Sequence, residues 1–325
     1  MRAIIPVAGI GKRLKPHTYS LPKVLLNVGG KPVLGHILDK LLDENILKAT
    51  FVTGHLGEKI REYVLLKYPK LEALFVEQKE LLGLGHAVYT ALSNNEDEEI
   101  FIVLGDTIFD VNLKNVFDGH FSALGVKLVE DPSRFGVAVC DKDKITKLIE
   151  KPRTPISKLA LVGLYYIKNA KLLSECLNEL INNDINGKGE IQLTDAMQLM
   201  IERGEIIKTF PVEGWYDCGK PETLLSTNQV LLSRIKAERK IDGTIIIPPV
   251  FLAEDAKLMN SILGPYATIA EGCEITDSMI RNSIINTGAL VERTMLENSI
   301  IGSNAVIRGN FGQLNIGDSS EIEIY

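Results

Sequence analysis

The chain has 325 residues, 45% hydrophobic and 24% charged, with a formal net charge of −6. That length suits one large or two ordinary domains of normal globular composition, and the negative balance argues against a nucleic-acid polymer as partner. No charged-then-apolar leader opens the chain, and no apolar run approaches the length of a membrane span. Cys140, Cys176, Cys218 and Cys273 are scattered without a C-x-x-C pair. The expectation is a cytoplasmic protein without structural zinc or a disulfide framework.

Ala3–Val7 reads as a buried strand. It runs into Ala8-Gly9-Ile10-Gly11-Lys12-Arg13-Leu14-Lys15-Pro16, and Pro22-Lys23 follows. A strand that stops at small residues exposes its last backbone N–H groups, and glycines let an anion approach them. Arg13 and Lys23 add mobile positive charge, so the loop suits a polyphosphate. The alternative is an ordinary strand-to-helix turn. No Gly-Lys-Ser/Thr closes the loop as in a Walker A sequence, and Leu14 stands where the dinucleotide fingerprint has its last glycine.

Pro32–Ile46 follows as an amphipathic helix with Val33, Leu34, Ile37, Leu38, Leu41 and Leu42 on one face. Ala49–Thr53 and Leu71–Glu77 read as strands, and Gly57–Tyr68 and Gly85–Leu92 as helices. Ile100–Leu104 is a continuous apolar run ending in Gly105-Asp106. Strands buried on both faces and alternating with helices predict a doubly wound, Rossmann-like α/β sheet. Ligands of such sheets sit at the carboxyl ends of the strands.

After about Ala237 the helical period stops and a repeat begins. Asn260–Ile269, Asn282–Val291 and Asn298–Ile307 align, each with two aliphatic residues six positions apart: Leu263 and Ile269, Ile285 and Val291, Ile301 and Ile307. A six-residue step suits one flat side of a triangular parallel β-helix; three hairpins of an antiparallel sandwich are the alternative. The predicted organisation is a catalytic domain over 1–238 and a β-helix over 239–325. The tail is expected to join subunits and to take no part in catalysis.

Asp106 closes a strand, and Asp217 lies in Gly214-Trp215-Tyr216-Asp217-Cys218-Gly219 before Pro221. Each suits either a Mg²⁺ ligand or a turn cap. Lys151, in Glu150-Lys151-Pro152, suits either a second phosphate or a solvated surface. Gln78 both donates and accepts hydrogen bonds, as the Watson–Crick edge of a pyrimidine requires, and Gly83 lets backbone groups reach a base.

Five motifs in this order resemble the sugar-1-phosphate nucleotidyltransferases: Gly9-x-Gly11-x-Arg13 with Pro22-Lys23; Gln78 with Gly83-Leu84-Gly85-His86-Ala87; Leu104-Gly105-Asp106; Glu150-Lys151-Pro152; and Trp215-x-Asp217-x-Gly219. Arg134–Ala138 and Gly189–Asp195 resemble the family's linking segments. The resemblance implies the condensation of a nucleoside triphosphate with a sugar 1-phosphate, glucose 1-phosphate foremost. Ala8, Gly9, Gly11, Arg13 and Lys23 would hold the triphosphate, and Asp106 and Asp217 would hold Mg²⁺. Lys151 would bind the sugar phosphate; Gly136, Glu150, Gly163 and Glu190 would contact the sugar; Gln78 and Gly83 would read the base.

Lys12 departs from the family's usual Thr or Ser, and Ala8-Gly9 from its frequent double glycine. Pro6–Gly9 and Gly83–Ala87 resemble the UTP-using enzymes. Leu104–Phe109 and Trp215–Gly219 resemble the thymidylyltransferases, whose long forms also carry a hexapeptide-repeat, left-handed β-helix. UTP and dTTP both stay open. Two other readings are a bifunctional enzyme with an acyltransferase tail and a silent nucleotide-sugar sensor. Against the first, the chain has no histidine after His120 to serve as base.

Overall fold

The computed structural model describes residues 1–92, 98–154, 156–183, 189–235, 240–309 and 314–323. The domain boundary expected at 238/239, and the change of pattern near Ala237, lie outside the described residues. Contacts divide the chain into two units: Met1–Gly9 with Ile37–Trp215, and Ile10–His36 with Tyr216–Tyr325.

The first unit is built on nine strands: β1 (Arg2–Pro6), β2 (Lys48–Thr53), β3 (Glu72–Glu77), β4 (Ile100–Val103), β5 (Ser122–Leu128), β6 (Gly136–Asp141), β7 (Lys144–Glu150), β8 (Leu159–Ile167) and β9 (Ile207–Pro211). They form one sheet in the order β3-β2-β1-β4-β8-β5-β9-β7-β6. β1 pairs parallel with β2 and with β4, and β2 pairs parallel with β3. Ala3, Ile4, Ile5 and the whole of β4 are at most 1% exposed. Such continuous apolar strands belong in a sheet covered on both faces.

The doubly wound expectation describes only this parallel part. β8 runs antiparallel to β4 and β5, and β7 antiparallel to β9 and β6, so the sheet is mixed. One cause is local. Asp141 pairs with Lys144, leaving Lys142-Asp143 as a two-residue turn with Lys142 at φ 56°, and so short a connection can only return the chain antiparallel.

Helices α1 (Val33–Asp43), α2 (Gly57–Lys67), α3 (Leu84–Leu92), α4 (Ala170–Asn183) and α5 (Leu193–Glu202) follow the 3.6-residue pattern of the sequence. Val88 and Leu92 of α3, Leu173 and Leu177 of α4, and Met197 and Met200 of α5 share one core with Ile102, Leu124 and Tyr165. No helix among the described residues is long and apolar enough to cross a membrane.

The second unit contains α6 (Pro221–Leu232), which opens with proline in its first turn, and a coil of short strands in three sheets. All pairings between successive turns of the coil are parallel, so the antiparallel sandwich is excluded. Leu263, Ile269, Ile275, Ile280, Ile285, Val291, Leu296, Ile301 and Ile307 fill its interior, each at most 2% exposed. Corners repeat polar side chains in stacks: the Asn282 amide donates to Asn298 at 2.5 Å, and the Ser299 N–H to the Ser283 hydroxyl at 3.1 Å.

The aligned repeats are partly corrected. Ile284 and Ile285 stack on Ile300 and Ile301 as the alignment requires, but Ile262 and Leu263 stack on Met279 and Ile280, in a different sheet. Every side of the coil carries the same six-residue pattern, so an alignment can slip by one side without losing its aliphatic matches.

The segment from Ile10 to His36 packs within this second unit. The Asn228 carboxamide oxygen accepts from the Gly29 N–H at 2.8 Å and from the Thr268 hydroxyl at 2.7 Å, and its nitrogen donates to the Tyr266 carbonyl at 3.2 Å. A side chain on Gly30 would run into the Phe251 ring, 2.4 Å away. His17 bonds to Asn315 and Ser20 to Asp318. The tail is thus part of what holds the segment bearing Arg13 and Lys23.

Two outcomes follow from these contacts. Deleting residues 240–325 should speed hydrogen exchange over residues 10–36 and depress any activity that uses Arg13 by about 10²-fold, the usual cost of misplacing a catalytic group. Unchanged exchange in a folded truncation would refute this. His17 is 1% exposed; burial lowers its pKa, against the smaller opposing effects of Asn315 and the Asp318 charge. The unfolded chain therefore binds a proton that the folded chain refuses just below pH 6.5, and stability should fall as pH drops through that range. Thermal melts at pH 7.5 and 5.5 should show a smaller acid loss in His17→Gln than in the wild type.

Candidate functional site

The parallel strands set the first unit's candidates along one edge. β1 runs into Ala8 and Gly9, β3 into Gln78, and β4 into Leu104-Gly105-Asp106. Ala8 is buried, and a side chain on Gly54, just after β2, would meet its carbonyl oxygen at 3.0 Å. Gly163, expected to touch a sugar, lies against Leu104. Its φ is 82°, a Cβ there would sit 2.6 Å from the Leu104 side chain, and its carbonyl accepts from the Leu104 N–H at 3.0 Å. It supports the Asp106 turn.

Gly83, at φ 98°, has no room for a side chain: a Cβ would lie 2.8 Å from the Glu190 Cβ and from the Ile191 carbonyl oxygen. The Ile191 N–H donates to the Leu82 carbonyl and the Gly85 N–H to the Ile191 carbonyl, both at 2.7 Å. The loop bearing Gly83 is therefore stitched through backbone to the segment bearing Glu190, and the Gln78 side chain joins that loop at the Gly83 carbonyl.

A second group gathers where β6 meets β7. Gly136 pairs with Glu150, and a Cβ on Gly136 would sit 3.0 Å from the Glu150 Oε2 and 3.2 Å from the Thr194 Oγ1. The Thr194 hydroxyl donates to that Oε2 at 2.8 Å, while the exposed Lys151 Nζ stands 3.4 Å from Oε1. The Lys151 N–H donates to the Phe135 carbonyl at 3.1 Å, and the Phe135 ring packs edge-on against Trp215 with centroids 4.9 Å apart. Burial, and then the Glu150 charge, push both the Asp195 carboxyl and the Tyr165 phenol upward in pKa. Gly136, Glu150 and Lys151 form one cluster.

In the second unit the glycine loop closes on itself. Gly11 has φ 68° and a Cβ on it would lie 2.9 Å from the Thr18 methyl and 3.0 Å from the Lys23 Cβ. The Thr18 hydroxyl and the Leu14 N–H both donate to its carbonyl at 2.9 Å. Glycine is needed here for backbone conformation and space together. Arg13 stays exposed, whereas the Lys15 ammonium sits 4.6 Å over the Tyr19 ring.

Asp217 and Arg13 meet around Gly219. The Asp217 Oδ1 accepts from the Gly219 N–H at 2.8 Å, and a Cβ on Gly219 would stand 2.9 Å from that Oδ1 and 3.0 Å from an Arg13 guanidinium nitrogen. Asp106 belongs to the first unit and Asp217 to the second.

His86, Thr194, Thr18 and Gly219 were not among the predicted site residues. Thr194 shares a segment with Glu190, and His86 a motif with Gly83, but their partners could not be read from spacing. Gly219→Ala should keep its fold, because both clashing atoms end mobile side chains. It should lower kcat/KM by at least about tenfold by parting Asp217 from Arg13. An unchanged rate beside an unchanged melting temperature would refute this arrangement.

A family described as nucleotidyl transferase matches residues 2–234 of the chain. The low-salt glycan biosynthesis nucleotidyltransferase Agl11 of Haloferax volcanii is 30% identical over 88% of this chain and 87% of its own length. A glucose-1-phosphate thymidylyltransferase of Streptomyces antibioticus is 34% identical over 86% and 81%. A crystal structure of a UDP-glucose pyrophosphorylase complexed with UDP-glucose superposes with a TM-score of 0.62 at 25% identity, covering 72% of this chain and 99% of that one.

Proposed function

The chain belongs to the nucleotidyl transferase family, and on that premise we propose that it transfers a nucleotidyl group from UTP or dTTP to a sugar 1-phosphate, glucose 1-phosphate foremost, releasing pyrophosphate. The observation that carries this reading is the backbone stitch Leu82–Ile191–Gly85, which ties the loop bearing the base candidate Gly83 to the segment bearing the sugar candidate Glu190. The Streptomyces relative is a thymidylyltransferase and the structural neighbour a UDP-glucose enzyme. Uracil and thymine share the edge that Gln78 would read.

The sugar phosphate oxygen attacks the α-phosphorus in line with the departing pyrophosphate. A phosphate monoester is already largely ionised near pH 7, so no strong base is needed, and catalysis is positioning and charge neutralisation. Arg13 and Lys23 bind the triphosphate and steady the charge that leaves with pyrophosphate. Lys151 holds the sugar phosphate. Glu150, its carboxylate oriented by the Thr194 hydroxyl, accepts hydrogen bonds from the sugar.

Asp106 and Asp217 offer carboxylate oxygens, the donor type that Mg²⁺ takes. The described residues hold no cluster of three or more His, Cys, Asp or Glu side chains able to bind a metal alone. When bound, Mg²⁺ neutralises phosphate charge. We also propose that the coil winds left-handed, from its hexapeptide period, that it joins subunits, and that the protein works in the cytoplasm.

Pyrophosphate release, measured over a grid of nucleoside triphosphates and sugar 1-phosphates, tests the function. UTP or dTTP with glucose 1-phosphate should turn over with Mg²⁺ and stop with EDTA. ATP and GTP should be at least about 10²-fold slower, the scale on which a hydrogen-bonding site rejects a mismatched partner. Preference for a purine nucleotide, or no release with any pair, would overturn the reading.

A further inference from the structure

Gln78 directly follows β3, is 6% exposed, and anchors its backbone N–H on the Thr53 carbonyl at 2.8 Å. Its side-chain Nε2 donates to the Gly83 carbonyl at 3.1 Å and lies 3.1 Å from the Nδ1 of His86. A carbonyl oxygen only accepts, so the amide atom facing Gly83 has to be the nitrogen. That nitrogen carries two hydrogens. The second goes to His86 Nδ1, which must then be the accepting ring nitrogen. Both amide hydrogens are thereby committed inside the protein. Among the described residues the Oε1 of Gln78 accepts no hydrogen bond. Toward a base, this glutamine has only an acceptor to offer.

The two partners are themselves held in place. Gly83 and Gly85 are clamped by Ile191 through the backbone stitch, and a Cβ on Gly85 would meet the Ile191 carbonyl at 2.8 Å. His86 stands in the first turn of α3, where its carbonyl accepts from the Thr90 hydroxyl at 2.8 Å. A rotation of the Gln78 amide would set its oxygen against the Gly83 carbonyl oxygen, a repulsion in place of a hydrogen bond that no change of the His86 tautomer removes.

We propose that His86 is a positioning residue for base selection: with the Gly83 carbonyl it fixes Gln78 as a hydrogen-bond acceptor, and so favours pyrimidines that carry an N–H at ring position 3. Uracil and thymine have that hydrogen. Cytosine presents a lone pair there and would face Oε1 without a proton between them. This rests on the nucleotidyl transfer proposed above and adds to it the part that sets discrimination within the pyrimidines.

The test compares the full-length wild type with His86→Phe, which keeps a ring but loses the acceptor, and His86→Asn, whose Oδ1 can take the place of Nδ1. For each, kcat/KM is measured with UTP, dTTP and CTP, KM is measured for the sugar 1-phosphate, and UTP and CTP binding are measured by calorimetry. The wild type should prefer UTP or dTTP over CTP by about 10²-fold or more. His86→Phe should cut that preference about tenfold, the scale of one hydrogen bond, through weaker UTP or dTTP binding, while KM for the sugar 1-phosphate stays put. His86→Asn should recover the wild-type preference to within about threefold. If the Phe variant does not fold, His86→Ala takes its place. An unchanged preference in the variant without the acceptor, or an Asn variant as impaired as the Phe variant, overturns the role of His86 and leaves the base reading by Gln78 standing. A wild type that uses CTP as well as UTP overturns both. A wild type that releases no pyrophosphate with any nucleotide overturns the proposed function itself.

Discussion

Parallel pairing of β1 with β2 and β4 is the constraint on which the first unit's candidates depend. Parallel strands with both faces covered have to be apolar along their length, so polar and charged groups are pushed to their ends. Because β1 to β4 run the same way, those ends share one edge of the sheet. Ala8 and Gly9, Gln78, and Asp106 fall there as a consequence of topology. The antiparallel half of the sheet adds Gly136, Glu150 and Lys151 through the short β6–β7 connection.

Close backbone approach is the second recurring device. Gly11, Gly83, Gly136 and Gly219 each stand where a Cβ would lie 3.0 Å or less from a neighbouring side-chain or carbonyl atom. At Gly136 and Gly219 those neighbours are themselves chemical groups: the Glu150 carboxylate in one case, the Asp217 carboxylate and the Arg13 guanidinium in the other. A methyl group at Gly219 would displace charge alone, whereas one at Gly136 would also press on the core side chain of Leu161, 3.0 Å away. In the Glu150 cluster burial first, and the Glu150 charge second, raise the pKa of both Asp195 and Tyr165. Such a group is better placed to accept hydrogen bonds from a neutral sugar than to share its surroundings with another anion.

The second unit alters the part assigned to the tail. A β-helix buries its aliphatic side chains inward, which leaves its outer faces free to carry something else. Here they carry the segment between Ile10 and His36, through Asn228, Phe251, Asn315 and Asp318. The glycine-loop residues Arg13 and Lys23 are thus on a segment tied to residues some 300 positions later in the chain. A tail read from sequence as an assembly module is also a structural support for the loop.

Local patterns determined much of this protein without tertiary information. An apolar run that ends in glycine marks a covered strand and the loop at its carboxyl end, as in Ile4–Gly9 and Ile100–Asp106. A six-residue aliphatic step marks a coil whose interior is filled from every side. These signals are legible because burial and backbone conformation act on neighbours in the chain. The sheet's mixed direction, the true stacking of Ile262 on Met279, the Thr194–Glu150 bond, the Gln78–His86 pair and the ties of His17 and Ser20 to the last coil were decided only by folding. In each case the partners are brought together by register, by a loop or by a turn of the coil. A hydrogen bond between distant residues leaves no period in the sequence from which its partner could be read.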